Sequence, residues 1–148
     1  MFPNQKISEQ LAVVATIDPV SQAAGTISTG WISAANFERY QATIQTGLMG
    51  AGATVDAKIQ QATSAAGAGA KDVAGKAITQ IVKATGDNKQ AIIGLRASEL
   101  DVNNGFAFFN VTVTVGVAAS LIAARVDAGV SKNSPASTLN QAAVVQVI

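Results

Sequence analysis

The sequence predicts an all-β fold: an antiparallel β-sandwich, jelly-roll-like, with a long Gly/Ala-rich loop and extended termini. Three observations predict it. The first is Phe106-Ala-Phe-Phe-Asn-Val-Thr-Val-Thr-Val-Gly-Val117, in which Phe109, Val111, Val113, Val115 and Val117 alternate with Asn110, Thr112, Thr114 and Gly116. A period of two is the period of a strand, so this segment carries one apolar and one hydroxylated face. The second is a series of short β-branched runs separated by Gly, Pro, Asn and Asp turn signals at roughly 8–12-residue spacing, which implies about seven to nine strands. The third is that no alternation of strand and helix patterns appears, so a parallel α/β sheet is not expected.

The elements follow in order. Residues 1–10 are polar and read as an N-terminal arm. The sandwich domain spans 11–130, and 131–148 form a C-terminal tail docked on its own or a neighbouring chain. Leu11-Ala-Val-Val-Ala-Thr-Ile17 is the first strand, closed by the turn dipeptide Asp18-Pro19. Thr26 to Ile32 is the second, with a bulge at Gly30 that restores its face. Phe37 to Met49 places Tyr40, Ala42, Ile44 and Thr46 on one side. Residues 53–60 alternate cleanly, with Val55, Ala57 and Ile59 on one side and Asp56 and Lys58 on the other. Residues 62–75 hold small residues with little area to bury and read as a mobile loop with a helical turn near Lys71. Strands follow at 76–82 and 90–96, with a polar turn at 85–89 between them. Residues 97–102 form a connector of about one helical turn, and Asn103-Asn-Gly105 turns into the central strand at 106–117. A last strand covers 120–130. The expected core includes Ile44, Val55, Ile59, Ile78, Ile93, Val111, Val113 and Val115. Ala142-Ala-Val-Val-Gln-Val-Ile148 is apolar enough to aggregate if left bare.

Composition limits the function. At 148 residues one domain is expected. Hydrophobic residues make up 49% of the chain but charged residues only 13%, about half the usual ~25%. A chain so poor in charge fits a protein that covers much of its surface with partners. Ten Lys+Arg against nine Asp+Glu leave a net charge of +1 with no basic cluster, so no nucleic-acid partner is expected. There is no Cys and no His, which removes a disulfide framework, thiolate ligands and the commonest general base. The start lacks the pattern of a signal peptide, and no apolar run is long enough to span a membrane.

Motifs that carry chemistry are weak. Gly69 to Gly75, followed by Lys76 and Ala77, resembles a phosphate loop, but the glycine spacing is one residue too long and Ala77 replaces the hydroxyl that ligates Mg²⁺. Glu99 and Asp101 are the nearest carboxylate pair, and capping of a turn is the expected role. Asp56 and Lys58 read as a solvated ladder on one strand face. Asn110-Val-Thr112 matches a glycosylation acceptor, without a signal peptide to give it meaning. Trp31 and Tyr40 are candidates for a glycan platform, although a lone Trp in a small β domain is more often core. No catalytic, cofactor-binding or metal-binding residue is expected, and no enzyme activity.

Several stretches carry a resemblance when taken together. They are Val14-Ala-Thr-Ile-Asp-Pro19, Gly30-Trp31, Phe37-Glu-Arg-Tyr40, Ala53-Thr-Val-Asp-Ala-Lys58 and Gly67-Ala-Gly-Ala-Lys-Asp72. Gly75-Lys-Ala-Ile-Thr79, Asp87-Asn-Lys-Gln90, Glu99-Leu-Asp-Val102 and Val111-Thr-Val-Thr-Val115 follow in order. Over residues 11–140 the chain resembles small structural proteins encoded among the head-assembly genes of tailed bacteriophages. It departs from them at Val126-Asp-Ala-Gly-Val130, where a more aromatic stretch is the rule. The resemblance implies a virion structural protein and, within that class, a capsid decoration or cement protein. Such a protein binds the major capsid protein on the capsid surface, assembles in the host cytoplasm and is homo-oligomeric, a trimer ahead of a dimer. A head–tail or tail component is the next reading, and a carbohydrate-binding sandwich the one after. No membrane partner is implied.

Overall fold

The computed structural model describes residues 3–148; Met1 and Phe2 of the expected arm lie outside the described residues. A helical turn, α1 (Ile7–Gln10), precedes β1 (Leu11–Gln22), β2 (Gly25–Ser28), β3 (Ile32–Ser33), β4 (Phe37–Met49) and β5 (Thr54–Ala62). Then come β6 (Lys71–Ala77), β7 (Ile81–Val82), α2 (Lys83–Gly86), β8 (Gln90–Arg96), β9 (Phe108–Gly116) and β10 (Ser120–Ser131). One sheet has the order β1-β10-β4-β8 and the other β2-β9-β5-β6, with the two-residue strands β3 and β7 paired to β9 and β5.

Setting those two short strands aside leaves eight. The first pairs with the eighth, the second with the seventh, the third with the sixth and the fourth with the fifth. A long antiparallel ribbon rolled onto itself gives this order, and the strand pairings are antiparallel throughout. The fold is therefore a jelly roll.

Two sheets facing each other need small and β-branched side chains on their inner faces. Ala12, Ala42, Ala57, Ala124 and Ala128 supply the small ones; Ile44, Val55, Val111, Val113 and Val126 have no exposed surface at all. Each fully buried Val or Ile contributes about 1.5–3 kcal/mol through removal of apolar surface from water. One end of the core is aromatic. Tyr40 meets Phe37 and Phe109 edge-on at 6.2 and 4.7 Å between centroids. Its hydroxyl donates to the carbonyls of Phe37 and Ser33 at 3.3 and 3.4 Å.

All the expected core residues are buried except Ile78, which is half-buried and packs against the edge of the core. The buried residue of that region is Val73, because the single strand expected at 76–82 is two: β6 runs from Lys71 to Ala77, and β7 covers only Ile81–Val82. The low-complexity loop is correspondingly shorter, and Lys71 starts a strand rather than a helical turn. Polar pairs fix this: Asp72 accepts from Lys58 and Gln60 on β5, both at 2.9 Å. A hydrophobic period cannot reveal a strand held that way. Asp18-Pro19 does not end the first strand either. β1 shifts register between Ile17 and Val20 and runs on to Gln22. It lies at a sheet edge, where a bulge accommodates a proline that has no N–H to donate.

At Gly30 the bulge is real. Ser28 pairs with Thr112 and Ile32 with Phe109, one residue more on this side than on β9. Gly30 takes φ +79°, and Thr29 fills the gap: its N–H donates to the Val111 carbonyl at 3.0 Å, and its hydroxyl accepts the Val111 N–H at 3.1 Å.

Open sheet edges invite pairing with other chains, and here side chains occupy two of them. On β1, Val13 N–H donates to Asn140 Oδ1 at 2.7 Å, and the Val13 carbonyl accepts the Gln141 N–H at 2.8 Å. On β8, Lys76 Nζ donates to the Gly94 carbonyl at 2.7 Å, and Arg96 N–H donates to Glu99 Oε2 at 2.7 Å. A helical turn at Ala136–Leu139 brings the C-terminal segment back to β1, with Ala136 buried. Beyond Val144 the chain has no strand, and Val145 is 95% exposed.

Ile44→Ala is expected to lose about 2–5 kcal/mol of stability, because it leaves a cavity between the sheets. Ile92→Ala, on the outer face at 62% exposure, should stay within about 0.5 kcal/mol. Urea midpoints of the two variants check the assignment of faces; equal losses would contradict it.

Candidate interaction surface

The residues singled out for chemistry do not converge. Glu99 caps the turn at Ala97–Glu99 by accepting the Arg96 N–H and pairs with Lys76 at 3.0 Å. Asp101 pairs with Lys71 at 2.6 Å and accepts both Asn104 amide bonds at 2.9 Å. Those bonds hold both carboxyls below the usual carboxylate range: for Glu99 the Arg96 amide comes first and Lys76 next, and for Asp101 Lys71 and then Asn104. A general acid of the glycosidase kind needs a raised carboxyl, and both are shifted the other way. Asp56 accepts from Gln80 at 2.7 Å, while Lys58 pairs with Asp72 at 2.9 Å. They belong to a ladder of polar contacts on the outer face of the second sheet.

The stretch that resembles a phosphate loop is a strand. Gly75, at φ +74°, sits in the register shift between β6 and β5. Lys71 lies 4.2 Å from the Phe106 ring centroid, and Lys76 is engaged at Gly94 and Glu99.

The two aromatic candidates part company. Tyr40 is buried in the core and cannot be a platform. Burial pushes its hydroxyl up to about 12, opposed by the hydrogen bond to Phe37. Trp31, expected in the core, is half-buried on the surface. The loop at 63–70 lies against it so closely that a Cβ on Gly67 would come within 2.5 Å of the indole nitrogen. Asn110 and Thr112 are buried in the second sheet, away from the core-facing valines of β9.

The distinctive surface is one end of the sandwich, where the β1–β2, β4–β5, β6–β8 and β9–β10 connections meet. Val117 was expected to continue the apolar face of the central strand. Instead the strand stops at Gly116, and Ala118 N–H closes on the Gly116 carbonyl at 2.8 Å with Val117 at φ +69°. That is a γ-turn of the rare, strained kind, with a β-branched residue at its apex. The isopropyl group stands 75% exposed, and Leu48 at the same end is 61% exposed. Neither Gly47-Leu-Met-Gly-Ala-Gly-Ala53 nor Gly116-Val-Ala-Ala-Ser-Leu121 contains a charged residue. In the sequence, the one legible signal was this lack of charge flanked by glycines.

The turns are held firmly. Gly50 N–H donates to the Ala119 carbonyl at 3.0 Å, and a Cβ there would meet that oxygen at 2.6 Å. Met49 N–H donates to Asp87 Oδ1 at 2.9 Å, Lys83 N–H to the Ala53 carbonyl at 3.0 Å, and Asp87 is paired with Lys83.

No protein-family model matches the chain, and no curated protein matches it. Among solved structures, it is similar to a chain of Triatoma virus, at 6% identity and a TM-score of 0.49 over 95% of this chain and 74% of that one. A chain from naturally occurring empty particles of Cowpea mosaic virus gives 8% identity and a TM-score of 0.44, over 85% and 88% of the two chains. A chain of the disulfide-linked pili that form Bacillus endospore appendages gives 18% and 0.32, over 88% and 100%. The strand order of the chain itself assigns its jelly-roll architecture.

Tyr40 is the only tyrosine and Trp31 the only tryptophan, so each reports on one place. Tyrosinate absorbance should rise near pH 12 rather than near the ordinary tyrosine value of about 10. Because the folded value is raised, the stability held by the protonated phenol is full below the unfolded value and is lost as pH climbs from there toward 12. Ionisation near the ordinary value without unfolding would contradict the burial of Tyr40. At the acid end, Asp72, Asp87, Glu99 and Asp101 are all lowered by their hydrogen bonds. Their contribution is present above the unfolded carboxylate range and is withdrawn as pH falls through the lower folded values.

Proposed function

We propose that the chain is a structural component of a virus particle, and within that class a decoration or cement protein on the capsid of a tailed phage. The observation that carries this reading is the jelly-roll strand order, an architecture that viral capsid and lectin domains share with cupins. Two further features favour the capsid branch. The space between the sheets is filled by aliphatic side chains and, at one end, by Phe37, Tyr40 and Phe109, where a cupin keeps a site inside its barrel. The aromatic side chains a glycan would stack on are buried in one case and packed under a loop in the other. The low charge content and the ordered series of stretches from Val14 to Val115 that resemble phage head-region proteins support the same reading.

On this proposal the partner is the major capsid protein, the protein sits on the capsid surface of a particle assembled in the host cytoplasm, and the copies associate with one another, a trimer ahead of a dimer. Its role is mechanical and needs no catalytic residue, cofactor, nucleic acid or membrane. A rigid sandwich with firmly held turns supplies a clamp that loses little conformational freedom on binding.

The test is co-sedimentation of purified protein with heads and with tails of the encoding phage from which it has been removed. Saturable binding to heads, with a raised temperature of head disruption, is the expected result. Binding confined to the head–tail junction or to tails would assign the protein to that station instead. Absence of binding to any particle component would overturn the virion role.

A further inference from the structure

We propose that the outer face of β8, with the part of β4 beside it, is where a partner protein docks an extended segment, one carboxylate seated at Arg39 and Arg96 and the backbone passing over Gly94. This rests on the capsid-binding role proposed above and deepens it, by naming a surface and the chemistry that fits it.

Gly94 is the first observation. Every other glycine of the chain either takes a positive φ or has an atom less than 3.0 Å from where a Cβ would stand. Gly94 has neither: its φ is ordinary, and a Cβ would meet nothing within 4 Å. It stands inside β8 opposite Gln41, where a β-branched residue would make a better strand. A glycine there costs the free chain stability and returns nothing within it. Glycines inside strands mark places where another backbone comes close. The edge beside Gly94 is already held, since its carbonyl accepts from Lys76, so the approach is over the face and not along the edge.

The second observation lies two residues further along the same face. Arg96 is directly opposite Arg39 on β4, and both are exposed. Like charges so placed repel. Among the described residues, six Lys and Arg side chains pair with carboxylates, and these two do not. The acids nearby are engaged elsewhere. Glu99 holds Lys76 and the Arg96 N–H, Asp127 holds Arg125, and Glu38 holds Lys132. Glu9, which lines a hollow together with Arg39, accepts the Lys6 N–H. On the other side of Gly94 stands Ile92, 62% exposed.

Charge complementarity selects the occupant. Two neighbouring guanidiniums grip a planar carboxylate through forked hydrogen bonds, and the bound charge cancels their repulsion. Arg96, Gly94 and Ile92 follow one another at the spacing of a strand face, so the matching segment is extended, with an apolar side chain over Ile92. A nucleic-acid backbone fits less well. It repeats its charge every few ångströms, and this face offers it Asp127 opposite Gln41 and the apolar Ile92.

The test is co-sedimentation with heads of the encoding phage from which the protein has been removed. It compares the full chain with Gly94→Thr, with the double variant Arg39→Gln/Arg96→Gln, and with Lys89→Gln as a control that removes a charge just before β8. The control should bind like the wild type, and the other two about tenfold or more weakly, as expected at the heart of a contact. The melting temperatures of free Gly94→Thr and of the double variant should hold or rise, because an unneeded glycine and a like-charge pair are gone. A fall for Gly94→Thr would show that the fold itself uses the glycine and would overturn the inference. Heads that bind both variants as tightly as the wild type would overturn this surface and leave the virion role intact. A wild type that binds no particle component would overturn that role and the docking with it. Oligoglutamate should displace the wild type from heads; displacement by a single-stranded oligonucleotide alone would make the occupant a phosphate backbone and overturn the carboxylate.

Discussion

Everything in this molecule depends on the pairing of its first long strand with its last. β1 and β10 are joined along most of their length, from Leu11 opposite Gly129 to Gln22 opposite Ser120. Until that ladder forms, β10 cannot present Ile122, Ala124 and Val126 to the core in register, and β4 lacks its neighbour on one side. The same ribbon then sets β2 on β9 and β9 on β5, so the apolar face of β9 is sealed by a sheet assembled from the far ends of the chain. Non-local pairing of this kind closes large loops before it gains contacts, which makes folding slow and cooperative.

What the closed ribbon leaves outside explains the character of the surface. The inner faces take the valines, isoleucines and alanines, and the outer faces take Thr, Gln and short ion pairs such as Lys58 with Asp72 and Arg125 with Asp127. An exposed pair such as Lys58 with Asp72 is worth about 0–1 kcal/mol; crossing from β5 to β6, it sets register more than it adds stability. The sheet edges that carry the tail and Lys76 are partly occupied from within the chain. The connections at the ends of the sandwich stay uncovered; at the end bearing Val117 the β4–β5 and β9–β10 turns carry no charge, and the β6–β8 connection beside them carries Lys83, Asp87 and Lys89.

Much of the fold was legible because period two is a direct record of burial. The alternation of Tyr40, Ala42, Ile44 and Thr46, of Val55, Ala57 and Ile59, and of Val111, Val113 and Val115 gave the strands and their inner faces. β6 was not legible, since it is held by Asp72 and Lys58 across the ladder rather than by an apolar stripe, and Val73 alone enters the core. Pro19 looked like a stop because a sequence does not say that its strand will lie at an edge. Trp31 looked like core because its size says nothing of Gly67 lying over it. The surface around Val117 was the least legible part. Val117 continues the apolar alternation of β9 perfectly, and only the turn at Gly116–Ala118 lifts it out of the strand.

One ribbon, closed by β1 and β10, unites both sheets into a single cooperative unit. Native-state amide hydrogen exchange measures this most directly. Buried amides of β1, β4, β9 and β10 should exchange through one global opening of equal free energy, while residues 145–148 exchange as an open chain. Exchange of β1 and β10 by a low-energy local opening, with β5 and β9 still protected, would show that the sheets are stable independently and would contradict it.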